Sequence, residues 1–290
     1  MADFCALIIN PVSGHYSERK IREIAAMLVS HGLNPELLLT RGPDDATRFS
    51  RRICEEHGEP LIIAGGGDGT VNGVVNGLVP GKATIAVLPL GTANVLAKEL
   101  GIRSIDDAVR RIVRGETRPL SAGLLKAGGL KRYFLLMAGI GFDGFVVEGV
   151  RGNEKKLLKE GAYILSALRR LRNWEKGQLE VLADGRRMEC HSLIICNAAK
   201  YGGKFLLAPR ADIFSPEFQV VCIKSDARTA LLKLVLSTLL GKTGETGDVL
   251  RFTTSELAIS GAKAVQVDGD FCCYSPVKIR AVAGFARLVI

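Results

Sequence analysis

Along the first 120 residues, short unbroken apolar runs alternate with stretches in which apolar residues recur every three or four positions. The segments Phe4–Ile9, Glu36–Leu39, Leu61–Ala64 and Ile85–Leu88 are too short for helices and read as strands. Between them, Ser17–Ser30 carries Ile21, Ile24, Ala25 and Leu28 on one helical face. Asp44 is placed to cap a helix running to about His57, and Gly69–Gly77 begins another. Thr92–Leu100 reads as helical, and Asp106 or Asp107 opens a helix that ends near Gly115. Strand and helix in alternation predict an α/β layer with a mostly parallel sheet.

Beyond Gly123 the texture changes to short alternating segments: Tyr133–Ala138, Gln178–Ala183, Met188–Asn197, Gln219–Lys224, Leu257–Ser260, Ala264–Val267, Val277–Ala283 and Ala286–Ile290. Strands at this spacing predict a mainly antiparallel sandwich or barrel, interrupted by helices near Lys155–Trp174 and Ala227–Leu240. The change of texture places a domain boundary around Leu120–Gly123, giving an α/β domain over 1–122 and a β-rich domain over 123–290. The last strand is a candidate to return to the first domain.

Composition narrows the class. Glycine accounts for 33 of 290 residues against a usual share of roughly 7%, and eight of these lie between Gly65 and Gly91. The 47% hydrophobic and 24% charged fractions exclude disorder, collagen and coiled coil. Seven cysteines form no Cys-x-x-Cys pair, and their odd number favours a reducing cytoplasm. The N-terminus shows no basic leader, and apolar stretches such as Ala230–Leu240 fall well short of the roughly 20 residues a membrane span needs. The four histidines have no zinc-like spacing.

The strongest chemical signal is Gly65-Gly-Gly-Asp68-Gly-Thr70-Val-Asn72, running straight from one strand into a helix. Such a turn places backbone N–H groups and a helix N-terminus at the carboxyl edge of the sheet, where open α/β folds bind ligands. Without β-carbons the chain can approach phosphate oxygens closely. Asp68 could hold a phosphate-bound Mg²⁺ or orient an acceptor hydroxyl, and Thr70 and Asn72 could hydrogen-bond phosphate. A tight turn built for close packing is the bland alternative. Asn10-Pro-Val-Ser-Gly14 follows the first strand, Pro89-Leu-Gly-Thr92-Ala-Asn94 the fourth, and Thr40 ends the second. Loops at the same end of successive parallel strands converge on one crevice. Gly139-Ile-Gly141-Phe-Asp143-Gly144 satisfies a dinucleotide pattern, but no clear βαβ unit surrounds it and a strand-edge turn fits better.

Near the C-terminus, Asp268-Gly-Asp270 puts two carboxylates on a glycine turn. In phosphate transfer to an alcohol, one acid can take the hydroxyl proton while another holds metal or orients the first. The bland reading is a hairpin turn, for which Asp-Gly is a common choice. Formal net charge is +9, and residues 151–176 hold eight Lys/Arg against three Glu, interleaved with leucines, Tyr163, Ile164 and Trp174. That is the pattern of a basic amphipathic helix suited to an anionic membrane surface, or of a solvated helix packed on the sandwich. With 6% aromatics and no nucleic-acid module, nucleic-acid binding is not expected.

In their order, the Asn10–Gly14, Gly65–Asn72, Pro89–Asn94, Gly139–Asp143 and Asp268–Asp270 elements resemble the diacylglycerol kinase catalytic-domain family. That family includes soluble bacterial lipid kinases and the sphingosine and ceramide kinases, and the resemblance spans nearly the whole chain. The Gly-Gly-Asp-Gly-Thr element is shared with NAD kinases. The resemblance implies an NAD kinase-like α/β domain, a β-sandwich, and ATP with Mg²⁺ in the cleft between them. It implies a cytoplasmic, peripherally membrane-associated enzyme whose acceptor is a membrane lipid. Carried to matching positions, Asn10, Thr40, Gly66, Gly67, Asp68, Gly69, Thr70, Val71, Asn72 and Thr92 contact ATP, and the second acid of the late turn, Asp270, accepts the proton. Glu is usual at that position. Asp is one methylene shorter, which keeps Asp268 in competition for the base role. Similar kinases often have Asp-Gly where this chain has Ser215-Pro216, and that Asp helps hold a structural Mg²⁺. A soluble NAD kinase-like enzyme and a catalytically silent nucleotide-binding membrane adaptor are the alternatives.

Overall fold

The structure is a computed structural model that describes residues 3–149, 177–202, 205–242 and 247–290. The basic stretch 151–176, with its expected helix, lies outside the described residues. The chain forms two compact units, one of Met1–Ser121 with Ala283–Ile290 and one of Ala122–Val282.

The first unit contains β1 (Cys5–Ile9), α1 (Glu18–Ser30), β2 (Glu36–Leu39), α2 (Asp45–Glu56), β3 (Leu61–Gly66), α3 (Asp68–Gly77), β4 (Thr84–Pro89), α4 (Val95–Glu99) and α5 (Ile105–Arg114). It also holds the start of β5 (Thr117–Ala127) and the end of a long last strand, residues 283–289. Its sheet runs in the order β2-β1-β3-β4-last strand, these neighbours all pairing in parallel. Strands β1 and β3 are buried on both faces, which explains their unbroken apolar runs. One face packs Leu7, Ile9, Ile63, Ala86 and Leu88 against Ile21, Ile24 and Leu28 of α1 and Ala108, Val109 and Ile112 of α5. Helices α2 and α3 cross closely: Thr47 Oγ1 donates to Gly73 O at 2.8 Å, and a β-carbon at Gly77 would fall 2.0 Å from Ser50 Oγ.

The helix starts differ from expectation in three places. Asp44 already has helical backbone angles and makes no side-chain cap; Asp45 reaches back instead, accepting from the Arg41 and Gly42 N–H groups at 2.6 and 2.9 Å and from the Arg48 guanidinium. Helix α5 is capped by Ser104, whose Oγ accepts from Asp107 N while Asp107 Oδ2 accepts from Arg103 N, a reciprocal box that neither Asp106 nor Asp107 provides alone. Helix α4 is shorter than the expected Thr92–Leu100, because Asn94 precedes it in the left-handed region at φ 47°.

The second unit continues with β6 (Leu130–Phe134), β7 (Met137–Ile140), α6 (Phe142–Glu148), β8 (Leu179–Ala183), β9 (Arg186–Cys190), β10 (Ser192–Cys196), β11 (Lys200–Tyr201), β12 (Phe205–Leu206) and β13 (Phe218–Ile223). After α7 (Arg228–Leu239) come β14 (Val249–Thr254), β15 (Glu256–Ser260), β16 (Ala264–Val267), β17 (Asp270–Tyr274) and β18 (Val277–Val289), which is the long last strand. One layer has the order β14-β13-β10-β7-β16-β17, and β18-β15-β8-β9 with the β5–β6 hairpin forms the other. Alternate residues point into a common core, including Leu193, Ile195, Val220 and Val265 from the first layer and Val181, Leu257, Ile259 and Ile279 from the second. Phe134 lies over Gly123 on the neighbouring strand, where a β-carbon would fall 2.1 Å from its ring, and stacks on Phe218 at 5.7 Å.

Three strands depart from the sequence reading. Tyr133–Ala138 breaks between Phe134 and Met137, because the Leu135 and Leu136 N–H groups turn to the Asp268 carboxylate. Met188–Asn197 breaks at His191, where the chain leaves the β8–β9 layer for the other and the Lys263 ammonium donates to His191 O at 2.7 Å. The two expected C-terminal strands are one, passing through Gly284 at φ 59°.

Candidate active site

Four loops of the first unit meet at the carboxyl edge of its sheet. Thr40 N donates to Ile9 O at 2.8 Å and Asn10 N donates to Gly65 O at 2.9 Å, so the ends of β2, β1 and β3 are joined there. Leu90 N and Gly91 N both donate to Gly66 O at 3.1 Å, which fixes the loop after β4 to the glycine turn. His15 N donates to Leu90 O and His15 Nδ1 to Gly91 O, each at 2.9 Å; the ring proton lies on Nδ1 because a carbonyl can only accept. The structure thus brings together Asn10, Thr40, Gly66–Asn72 and Thr92 with Gly91 and Asn94 of the expected Pro89–Asn94 loop, and adds His15, which sequence reasoning did not single out.

Each glycine of the turn has its own reason. A β-carbon on Gly65 would fall 2.2 Å from Ile9 Cδ1, and one on Gly66 would strike the Thr70 side chain at 2.3 Å. Gly67 and Gly91 pass backbone against backbone: a β-carbon on Gly91 would lie 2.3 Å from Gly67 Cα. Gly69 is different, since it is exposed, helical, and a β-carbon there would meet no protein atom within 4 Å. The turn delivers the chain to the N-terminus of α3, whose first intrahelical bonds run from Thr70 N and Val71 N to Gly67 O.

The polar side chains are held from below. Asn10 Nδ2 donates to Thr70 Oγ1 at 3.3 Å, and its Oδ1 accepts from Val12 N at 3.1 Å. Asp68 Oδ1 accepts from Leu96 N at 3.2 Å, so the acid is braced by the first turn of α4. Asn72 is buried and accepts from Asn76 Nδ2 at its side-chain and backbone oxygens, and Val71 is buried in the core. Thr92 is exposed. Asn94 donates to Gly91 O at 2.8 Å, while its Oδ1 is buried without a partner among the described residues.

In the second unit, Asp268 (φ 48°) and Gly269 (φ 87°) form the tight turn between β16 and β17. The hairpin reading is therefore met, and the turn does more than reverse the chain. Asp268 Oδ2 accepts from Leu135 N at 2.9 Å, and Oδ1 accepts from Leu136 N and Met137 N at 2.9 and 3.0 Å. Asp270 is exposed at the first position of β17. The Gly139–Gly144 segment runs from β7 through Gly141 (φ 86°) into α6. Its Asp143 is buried and accepts from Tyr201 OH and Gln266 Nε2, each at 2.6 Å. Burial holds the Asp143 carboxyl above the usual range, a shift that these two hydrogen bonds only partly oppose. At Ser215-Pro216 the Asp212 side chain accepts from Phe214 N, and Ser215 N donates to Asp212 O.

Among the described residues, no group of three or more His, Cys, Asp or Glu is placed to hold a metal ion, and no helix is long and apolar enough to cross a membrane. Two known domain families match the chain in succession. Residues 5–125 match the diacylglycerol kinase catalytic domain, and residues 137–290 match the YegS C-terminal NAD kinase β-sandwich-like domain. A diacylglycerol kinase of Bacillus subtilis (strain 168) is 26% identical over 274 residues, covering 91% of this chain and 89% of its own. The crystal structure of a diacylglycerol kinase from Bacillus anthracis str. Sterne has a TM-score of 0.74 at 20% identity, covering 99% of this chain and 97% of its own. An NAD kinase from Archaeoglobus fulgidus, solved in complex with ATP, has a TM-score of 0.56 at 13% identity, covering 99% and 94%. The chain belongs to the family that joins a diacylglycerol kinase catalytic domain to a YegS-type, NAD kinase-like β-sandwich.

Proposed function

We propose that the protein transfers the γ-phosphate of ATP, with Mg²⁺, to a hydroxyl of a membrane lipid such as diacylglycerol, phosphatidylglycerol or a sphingoid base. The reading rests above all on the glycine turn, where Gly67 and Gly91 meet backbone to backbone and Gly69 lacks a side chain that the protein itself has room for. A bare, donor-rich turn at the N-terminus of α3 suits phosphate oxygens. Thr70 and Thr92 supply hydroxyls, and the buried Asn94 Oδ1 is an acceptor that a bound donor would satisfy. The donor set also suits Mg²⁺. With no cage of three acids among the described residues, the protein's share is Asp68, the rest of the shell coming from phosphate oxygens and water. Bound there, the ion neutralises charge on the transferring phosphate.

The acid turn supplies the proton acceptor. Asp268 has three of its roughly four lone-pair sites committed to backbone N–H groups, so its work is to hold the turn. Asp270 is the remaining acid of the turn and takes the proton from the lipid hydroxyl as its oxygen attacks phosphorus. The basic, leucine-rich sequence of 151–176 suits an anionic lipid surface, in keeping with action at the cytoplasmic face of a membrane.

The test uses the full chain with ATP, Mg²⁺ and a panel of vesicle-borne lipids, with NAD as a soluble acceptor. Phosphate is expected on a lipid. Transfer to NAD alone would replace the reading by a soluble-nucleotide kinase, and nucleotide and vesicle binding with no turnover by a silent adaptor. Asp270→Asn is expected to lower kcat by about 10²–10⁴-fold with ATP affinity retained. A wild-type kcat in that variant removes Asp270 from the base role.

A further inference from the structure

One buried carboxylate takes no part in this chemistry. Asp143, on α6, lies against the paired strands β7 and β16, and the chain is carved to admit it: a β-carbon at Gly139 would fall 1.8 Å from Asp143 Oδ2, and one at Gly144 would fall 2.1 Å from Ala264 O. Packing alone does not call for an acid here, because an apolar side chain of the same shape fills such a site at no desolvation cost.

The hydrogen bonds give the acid a purpose. Gly269 N, in the turn between Asp268 and Asp270, donates to Gln266 Oε1 at 2.8 Å, and Gln266 Nε2 donates to Asp143 Oδ2 at 2.6 Å. A backbone N–H can only donate, so Gln266 must present its oxygen to Gly269 and its nitrogen to whatever stands behind. The group behind must then be an acceptor. Asp143 is one, and Tyr201 OH secures its other oxygen at 2.6 Å. The pairing of β16 with β17 also slips between Val265 and Gln266, opposite Phe271–Cys273, so a bulge adjoins the acid turn. Bulges beside active sites re-aim side chains.

We propose that Asp143 is a positioning residue: acting through Gln266 it fixes the Gly269 peptide, and with it the direction in which Asp270 leaves the turn. The proposal rests on the kinase reading for its consequence in the rate, and on the hydrogen-bond chain alone for its consequence in the turn.

The decisive variant is Gln266→Glu. The introduced carboxylate still accepts from Gly269 N but sets a second acceptor against Asp143. We expect kcat to fall by about 100-fold, the cost of misplacing a reacting group by roughly 1 Å, with the KM for ATP moving no more than about twofold. Adding Asp143→Asn restores a donor behind the introduced carboxylate, so the double variant is expected to recover to within about 10-fold of wild type. Amide hydrogen exchange at Gly269, followed in the same full-length proteins, is expected to quicken in Gln266→Glu and slow again in the double variant. A double variant no better than either single, or Gly269 exchange unchanged by Gln266→Glu, overturns the proposal. A wild-type protein that phosphorylates no lipid overturns the kinase reading instead, and the exchange experiment then still decides the hydrogen-bond chain.

Discussion

At the scale of single residues, the loop end of the parallel sheet is governed by where a β-carbon cannot go. The contact between Gly67 and Gly91 leaves no room for one on Gly91, and the obstacle is backbone, which cannot swing aside as a side chain can. Gly91→Ala is therefore expected to cost about 1–3 kcal/mol of stability from overpacking. It should also weaken ATP binding by parting two of the four loops; thermal unfolding and nucleotide titration would measure the two effects. Affinity and stability both at wild-type values would mean that the loops tolerate separation. The Gly65–Asn72 run announced itself in the sequence because three glycines and an acid between a strand and a helix have few other uses. His15 did not, and the individual roles of Gly91 and Asn94 within the expected Pro89–Asn94 loop did not either, since a single loop residue carries no local sign of the partner it meets. The same holds for Asp268 and Asp270. Their turn was legible as a pair of acids, but the three N–H groups that tie down Asp268 belong to residues 135–137, more than 130 positions away.

At the scale of elements, apolar periodicity located the strands of the parallel sheet and its helices well, because burial of β1, β3 and β4 leaves a dense signal. It failed where polar contacts outrank the pattern. The single strand expected over Tyr133–Ala138 breaks to serve Asp268, and the one over Met188–Asn197 changes layers at His191. The capping of helix starts was misread for a similar reason. At α2 the cap belongs to Asp45, whose carboxyl is held down to about 2 by the Arg41 N–H, the Arg48 guanidinium and the Gly42 N–H. Its folded value lies below the ordinary carboxylate value of about 3.9, so its stabilising contribution is complete above that value and is lost as the pH falls towards 2. Asp45→Asn should accordingly lower the melting temperature at neutral pH, and the gap from wild type should close between about pH 4 and pH 2. Melting curves across that range provide the check; a gap independent of pH would mean that the carboxylate charge is not what holds the helix start.

At the scale of the whole molecule, the two textures of the sequence correspond to two cores with different architectures, a parallel α/β layer and an antiparallel sandwich. The sequence could not show how the last strand is shared. A period-2 pattern records which face a residue occupies, not which sheet it joins. Residues 277–280 of β18 pair with β15 in the second unit, whereas Arg287 and Leu288 pair with Thr84 and Ile85 of β4 in the first. Phe285, Leu288 and Val289 are buried there, each contributing about 1.5–3 kcal/mol by burial. Against a typical total of about 5–15 kcal/mol, a chain ending at Val282 is expected to lose the cooperative unfolding of its first unit, as read by calorimetry. It should also bind a hydrophobic dye, as read by fluorescence. A first-unit transition at the wild-type temperature would show that β4 does not need this neighbour.

The sharing of β18 also sets an order of events in time. A ribosome delivers β1 to β4 early, but the strand that closes their sheet leaves the exit tunnel only after all of the second unit has been made. At about 5–20 residues per second that delay is on the order of ten seconds. During it β4 presents a row of unpaired backbone groups to any passing chain. Of the two units, the one whose strands are made earlier is thus the later to be completed.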